Sequence, residues 1–173
     1  MRGTSLGECT VVGGVSGPAI ARTCSGIEAA TRPKGRWFRG EPDQIPLARD
    51  FVRRHVQDQC KCMPGELGEI VLCVSETTTN AIRHTMSRLP GGGFWVVVRV
   101  DGSLVRVDVL DDGPFSGKEP PLPAPPARAE LLEEGGRGLW LVAVYAQSTG
   151  YEETEHGIGH AWFTYALNGA TPC

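Results

Sequence analysis

No stretch of this chain stays apolar for the roughly 18 residues that a bilayer-spanning helix needs, so no transmembrane helix is expected. The N-terminus also lacks the basic start and continuous apolar stretch of a secretory leader, and a cytoplasmic location is expected. An excess of positive charge is lacking: the formal net charge is -3 and the pI about 5.8, which gives no overall field to hold nucleic acid or an anionic membrane. The main cationic cluster, Arg32 to Arg39 with Lys34 and Arg36, reads as part of a solvated tail. Six cysteines (Cys9, Cys24, Cys60, Cys62, Cys73 and Cys173) have no repeating spacing and no export signal beside them, so reduced thiols are expected. Cys60-Lys61-Cys62 looks like half of a metal clip, but no second pair at zinc-ribbon spacing completes it. Internal repeats are absent as well.

What is present fits one ordinary domain: 173 residues, 40% of them hydrophobic, leave room for a real core. Residues 1–37 read as an N-terminal arm rich in Gly, Ser, Thr and Ala, 38–167 as the folded domain, and 168–173 as a tail. Ile45, Ala48, Val52 and Val56 recur at helical spacing, which predicts a first helix over about 43–60 with Asp43 as N-cap. Met63-Pro64-Gly65 reads as a break, and a second helix is predicted from Glu66 to about Ser87. Pro90-Gly91-Gly92-Gly93 stops it, and Phe94 to Val100 is dense in aromatic and β-branched residues. With the Asp101-Gly102 turn and the alternating run Leu104 to Leu110, this predicts an antiparallel hairpin. Six prolines between Pro114 and Gly136 mark a long connection of the kind that serves as a lid. A third helix over about 138–147 and two strands, about 150–155 and 160–167, complete the domain. Trp95, Trp140 and Trp162 are expected in the core, and Trp37 at a partner interface.

Three segments carry chemistry. Wound at about 100° per residue, the second helix puts Leu67, Ile70, Val71, Val74, Ala81 and Ile82 in one apolar sector. Glu76, Asn80 and His84, spaced by four, fall on the opposite and adjoining sides. A carboxylate and a carboxamide one turn apart make an oxygen-rich edge suited to a divalent cation and to orienting a hydroxyl. Alone, that spacing is also found on ordinary solvated helix faces. Asp111-Asp112-Gly113-Pro114 ends a strand in carboxylates and a glycine, so an exocyclic amine can donate to the acid while a flat base approaches the backbone. Gly135-Gly136-Arg137-Gly138-Leu139 leads into an apolar helix, a setting that suits phosphates. The Walker lysine is missing, which argues against a P-loop. Cys73 reads as a small packed residue, and His84 as a structural or lid-contacting one.

In this order, Glu76-Thr77-Thr78-Thr79-Asn80-Ala81-Ile82-Arg83-His84, Asp111-Asp112-Gly113 and Gly136-Arg137-Gly138-Leu139 resemble the N box and the two glycine boxes of GHKL (Bergerat-fold) ATP-binding domains. Within that superfamily the chain is similar to the small bacterial anti-sigma-factor serine/threonine kinases. The resemblance implies a two-layer α/β sandwich, with helices on one face of a mixed, mostly antiparallel sheet and ATP between helices and lid. It also implies that Asn80 holds the Mg ion on the phosphates, that Glu76 is the general base and that Asp111 accepts from the adenine amine. Gly113 then makes room for the base, while Gly136, Arg137, Gly138 and Leu139 close around the phosphates with His84 nearby. The implied partners are a sigma factor and an anti-anti-sigma (STAS-type) protein, and a homodimer is implied too. Two positions depart from the pattern: Glu133 and Glu134 stand where these kinases commonly carry a basic residue, and His160 stands where a threonine near the adenine is usual.

Overall fold

The structure is a computed structural model that describes residues 32–115, 137–168 and 171–172. All of them belong to the unit Thr31–Cys173. In chain order they form β1 (Lys34–Arg39), α1 (Gln44–Gln59), β2 (Cys60–Lys61), α2 (Pro64–His84), a short 3-10 turn (Met86–Arg88), β3 (Gly93–Asp101) and β4 (Leu104–Asp111). After the connection come α3 (Arg137–Tyr145), β5 (Ser148–Glu153), β6 (Gly159–Ala166) and β7 (Thr171–Pro172). Five strands pair in the order β1-β3-β4-β6-β5, every pairing antiparallel. The three helices pack side by side in the order α1, α2, α3, with α1 over β1 and β3, α2 over β3, β4 and β6, and α3 against β5. This is the expected two-layer α/β sandwich.

Alternation decides which side of each strand is buried. In β3, Phe94, Val96, Val98 and Val100 point at the helices, and in β4 Val105, Val107 and Val109 do so. Phe38, Phe94 and Phe163 are among the largest fully buried side chains, each worth about 1.5–3 kcal/mol relative to exposure. The expected apolar sector of α2 is buried in full, and Thr77 and Thr78 join it. Their hydroxyls donate to the carbonyls of Cys73 and Val74 at 2.8 and 2.7 Å, so two polar groups enter the core without losing a partner.

Several boundaries differ from the sequence reading. Strand β1 begins inside the segment read as an arm, because Lys34–Arg39 presents only Phe38 to the core and shows no alternation that sequence alone could display. Helix α2 begins at Pro64 rather than Glu66: proline is pre-shaped for the first helical position, where no amide partner is needed. Glu66 instead holds that start by accepting from the Met63 amide at 2.9 Å. Asp43 stands at the amino end of α1 but makes no side-chain cap; its carboxylate accepts from Gln44 Nε2 at 3.3 Å. Thr171–Pro172, read as tail, pairs with Cys60–Lys61. Trp95 and Trp162 alternate with the core positions and lie half-buried on the sheet face away from the helices, and Trp140 is half-buried on α3. Inward alternation gave the core to phenylalanine and valine instead.

Candidate functional site

One cross-strand row sets the first wall of the site. Phe38, Phe94, Asp111 and Gly159 lie opposite one another on β1, β3, β4 and β6, so Asp111 faces the helix layer, in line with two core phenylalanines. Its side chain is only 4% exposed. One oxygen accepts the Gly113 amide at 2.8 Å, and the Gly159 amide donates to the carboxylate as well. Burial pushes the Asp111 carboxyl up to about 6, helped by Asp112, while the two amides and His160 pull it back. Such a carboxylate is desolvated and anchored by backbone amides.

The turn that follows is locked to α2. Gly113 sits at a φ of 82°, and a Cβ there would collide with the Gly157 carbonyl; both facts require glycine. The Asp112 amide donates to Ser87 Oγ at 3.0 Å and the Asp112 carboxylate accepts from the Gly93 amide at 2.9 Å. The Met86 amide donates to the Gly113 carbonyl at 2.8 Å, and Thr85 bridges to Pro114. The carboxyl end of α2 and the acidic turn therefore form one hydrogen-bonded unit.

The second wall is α2 against α3. Glu76 is half-buried, and a Cβ on Gly138 would collide with its carboxylate. Glycine at 138 is what lets the first turn of α3 lie on Glu76. Burial raises the Glu76 carboxyl above its usual range, with Arg83 opposing. Asn80 is half-buried one turn further along α2, and His84 is exposed another turn on, its pKa lowered by desolvation and by Arg83. Arg137, Gly138 and Leu139 open α3. Gly136 and most of the expected lid, including Glu133 and Glu134, lie outside the described residues. Cys73 is fully buried, and burial with the nearby Glu69 pushes its thiol up to about 12, a packed and unreactive group.

His160 does not enter this space. Its ring lies on the other face of the sheet, between Asp108 and Glu152, each at 2.9 Å. The Asp108 hydrogen bond raises its pKa, and Glu152 adds to that against burial. Sequence reasoning missed Ser87, Tyr151, Gly157 and Gly159, which bound the site: a Cβ on Gly159 would meet both Asp111 and the Tyr151 hydroxyl. The spaced glycines of Gly157-Ile158-Gly159 were the available signal. Among the described residues no cluster of three or more His, Cys, Asp or Glu side chains could hold a metal by itself. No helix there is long and apolar enough to cross a membrane.

Residues 38–159 match the family described as the histidine kinase-like ATPase domain. No curated protein is matched by its sequence. Among solved structures, the crystal structure of the RsbU and RsbW domains of Rv1364c from Mycobacterium tuberculosis is similar, with a TM-score of 0.58 and 18% identity. The match covers 83% of this chain and 34% of that one, so the chain spans about a third of that protein's length and shares its fold over that part.

Proposed function

Because the chain belongs to the histidine kinase-like ATPase domain family, we propose that it binds ATP with magnesium between α2, the Asp111–Pro114 turn and the start of α3. In this reading it is an anti-sigma-type regulator that passes the γ-phosphate to a serine or threonine of an anti-anti-sigma partner. The observation that supports the proposal is that the α2 segment borders both of the other motifs. Hydrogen bonds fasten the acidic turn to the end of α2, and Glu76 abuts Gly138, so segments some 25 residues or more apart in sequence border one another.

Each role follows from local chemistry. Asp111, buried and rich in acceptor capacity, selects a base that presents an exocyclic amine; Gly113, with no side chain, lets the base lie against the turn. The amino end of α3 offers backbone amides and the positive end of a helix dipole to the phosphates. Asn80 would supply a hard oxygen donor to the ion, with the Glu76 carboxylate one turn away. Magnesium keeps waters and phosphate oxygens as most of its ligands, so a single protein oxygen would serve it. When bound, the ion neutralises charge on the phosphates. Glu76 takes the proton of the partner hydroxyl as its oxygen bonds to the γ-phosphorus, and the bond to the β-phosphate oxygen breaks to release ADP. A carboxyl raised by burial is the stronger base for that step. Phosphate on the partner's interface adds charge that expels it, leaving the regulator free to hold its sigma factor.

A second reading, partner sequestration shaped by nucleotide without turnover, is favoured by Glu133 and Glu134 in place of the usual basic residue. Labelled ATP, magnesium and a STAS-type protein separate the two. The kinase reading expects label on the partner with wild type and none with Glu76→Ala, while both proteins bind nucleotide. Label transfer that survives Glu76→Ala removes Glu76 as the base; no transfer from wild type despite nucleotide binding leaves the sequestration reading.

A further inference from the structure

A feature on the opposite flank of the molecule has no part in the nucleotide reading. Strand β1 is an edge of the five-stranded sheet among the described residues, and beside it α1 leaves a cavity of about 220 Å³. Lys34 and Arg36 of β1 and Leu47, Phe51, Arg54 and His55 of α1 line it. His55 is 3% exposed, and neither ring nitrogen has a hydrogen-bond partner. Buried nitrogens without partners are unfavourable, so the ring is poised to take a polar group. Burial and Lys34 hold its pKa below the usual value, against Asp58, so near neutral pH it offers one N–H donor and one acceptor.

The charge around the cavity chooses the ligand. Lys34, Arg36 and Arg54 take part in no ion pair among the described residues, and of the two aspartates on the rim, Asp50 is paired with Arg53. One unpaired carboxylate, Asp58, then faces three cations. Leu47 is 44% exposed and Phe51 half-buried, which suits the apolar stem of a side chain. We infer that the outer edge of β1 and the His55 cavity receive an extended acidic segment of a partner protein, added as a further strand, with one of its carboxylates in the cavity.

Other occupants fit less well. A second copy paired through β1 would set Lys34 and Arg36 against the same two cations, and like charges facing across strands are destabilising. Such charges guard an edge against self-pairing and leave it to a strand of opposite sign. Residues 1–31 of this chain carry Glu8 and Glu28 against Arg2 and Arg22, with no acidic excess to answer the cluster. Lys34 and Arg54 are exposed, so their long side chains can swing aside as a carboxylate enters.

The test uses the full chain and a synthetic peptide of about six residues, the usual strand length, alternating valine and glutamate. Glutamine and lysine versions, inorganic phosphate and free glutamate serve as comparison ligands. Backbone and imidazole NMR resonances are followed during titration. The glutamate peptide is expected to shift the amides of Lys34–Arg39 together with the His55 ring, and Lys34→Glu with Arg36→Glu to weaken it at least tenfold. His55→Leu, with the fold checked by its unchanged remaining spectrum, is expected to erase the preference for the glutamate peptide over the glutamine one. Equal binding of the lysine peptide, or no binding at all, overturns the inference. So does a His55 shift by phosphate or free glutamate without movement of β1, which makes the cavity a small-anion site. Outward β1 amides already protected from exchange before any peptide is added would mean that the chain's own residues fill the edge, and the inference fails. Nucleotide binding is measured in the same samples, so its presence or absence is read separately.

Discussion

Replacing Asp111 with asparagine is expected to make the nucleotide-free protein more stable while it loses its ligand. Burial raises the carboxyl from 3.8 in the unfolded chain to about 6 in the folded one, roughly two pH units, and each unit is about 1.4 kcal/mol. Above pH 6 the folded chain therefore carries a charged group at a cost of about 3 kcal/mol. The sign is opposite to that of a salt-bridged acid. The folded state binds more protons than the unfolded state between about 4 and 6, so stability falls as pH rises through that window and is level above it. Asparagine keeps an oxygen to accept the Gly113 and Gly159 amides but brings an NH2 group that needs a new acceptor, which trims the gain to about 2 kcal/mol. Urea unfolding of both proteins from pH 3.5 to 8 measures the difference. It should be near zero or slightly unfavourable at the acid end, open between pH 4 and 6, and stay constant above. An Asp111→Asn protein no more stable than wild type at pH 7.5, or a gap that does not change with pH, would refute the claim that this carboxylate is desolvated.

Gly113→Ala should cost at least 1–2 kcal/mol from its left-handed backbone alone, more through the clash with Gly157, and a melting scan should register the loss. Gly138→Ala should push Glu76 aside and reduce phosphate transfer more than tenfold; an unchanged rate would mean the contact is dispensable. His160→Ala should cost about 2 kcal/mol at pH 6, the worth of hydrogen bonds to charged groups. Because the folded pKa of His160 is raised, the charge-dependent part of its contribution is full below 6.5 and fades as pH rises through the folded value, so the gap between variant and wild type should narrow at alkaline pH in the same urea series. Nucleotide affinity should change far less in His160→Ala than in Asp111→Ala, since the ring lies behind the sheet and acts on Asp111 only through its charge.

The helices and the central hairpin were legible because their burial follows period: the α2 sector from Leu67 to Ile82 and the alternation of Val105, Val107 and Val109 are the same in sequence and in space. Strand β1 was not, since an edge strand with one buried residue has no pattern to read. The tryptophans misled because size favours the core while alternation assigns the face, and alternation won at Trp95 and Trp162. For the site, Glu76, Asn80, Asp111 and Gly113 could be named from motif order, but what fixes them could not. Ser87 acts through a hydroxyl that accepts the Asp112 amide from far along the chain, a contact that leaves no mark in a local pattern. The position of His160 was legible only once the β4–β6 register was known.

Isothermal titration of the purified full chain with ATP and ADP, with and without magnesium, tests the central claim most directly. One nucleotide per chain is expected, tighter with the metal, lost in Asn80→Ala and Asp111→Ala and kept in Glu76→Ala. Heats of dilution alone for both nucleotides with magnesium present, from a chain shown to be folded, would contradict the account.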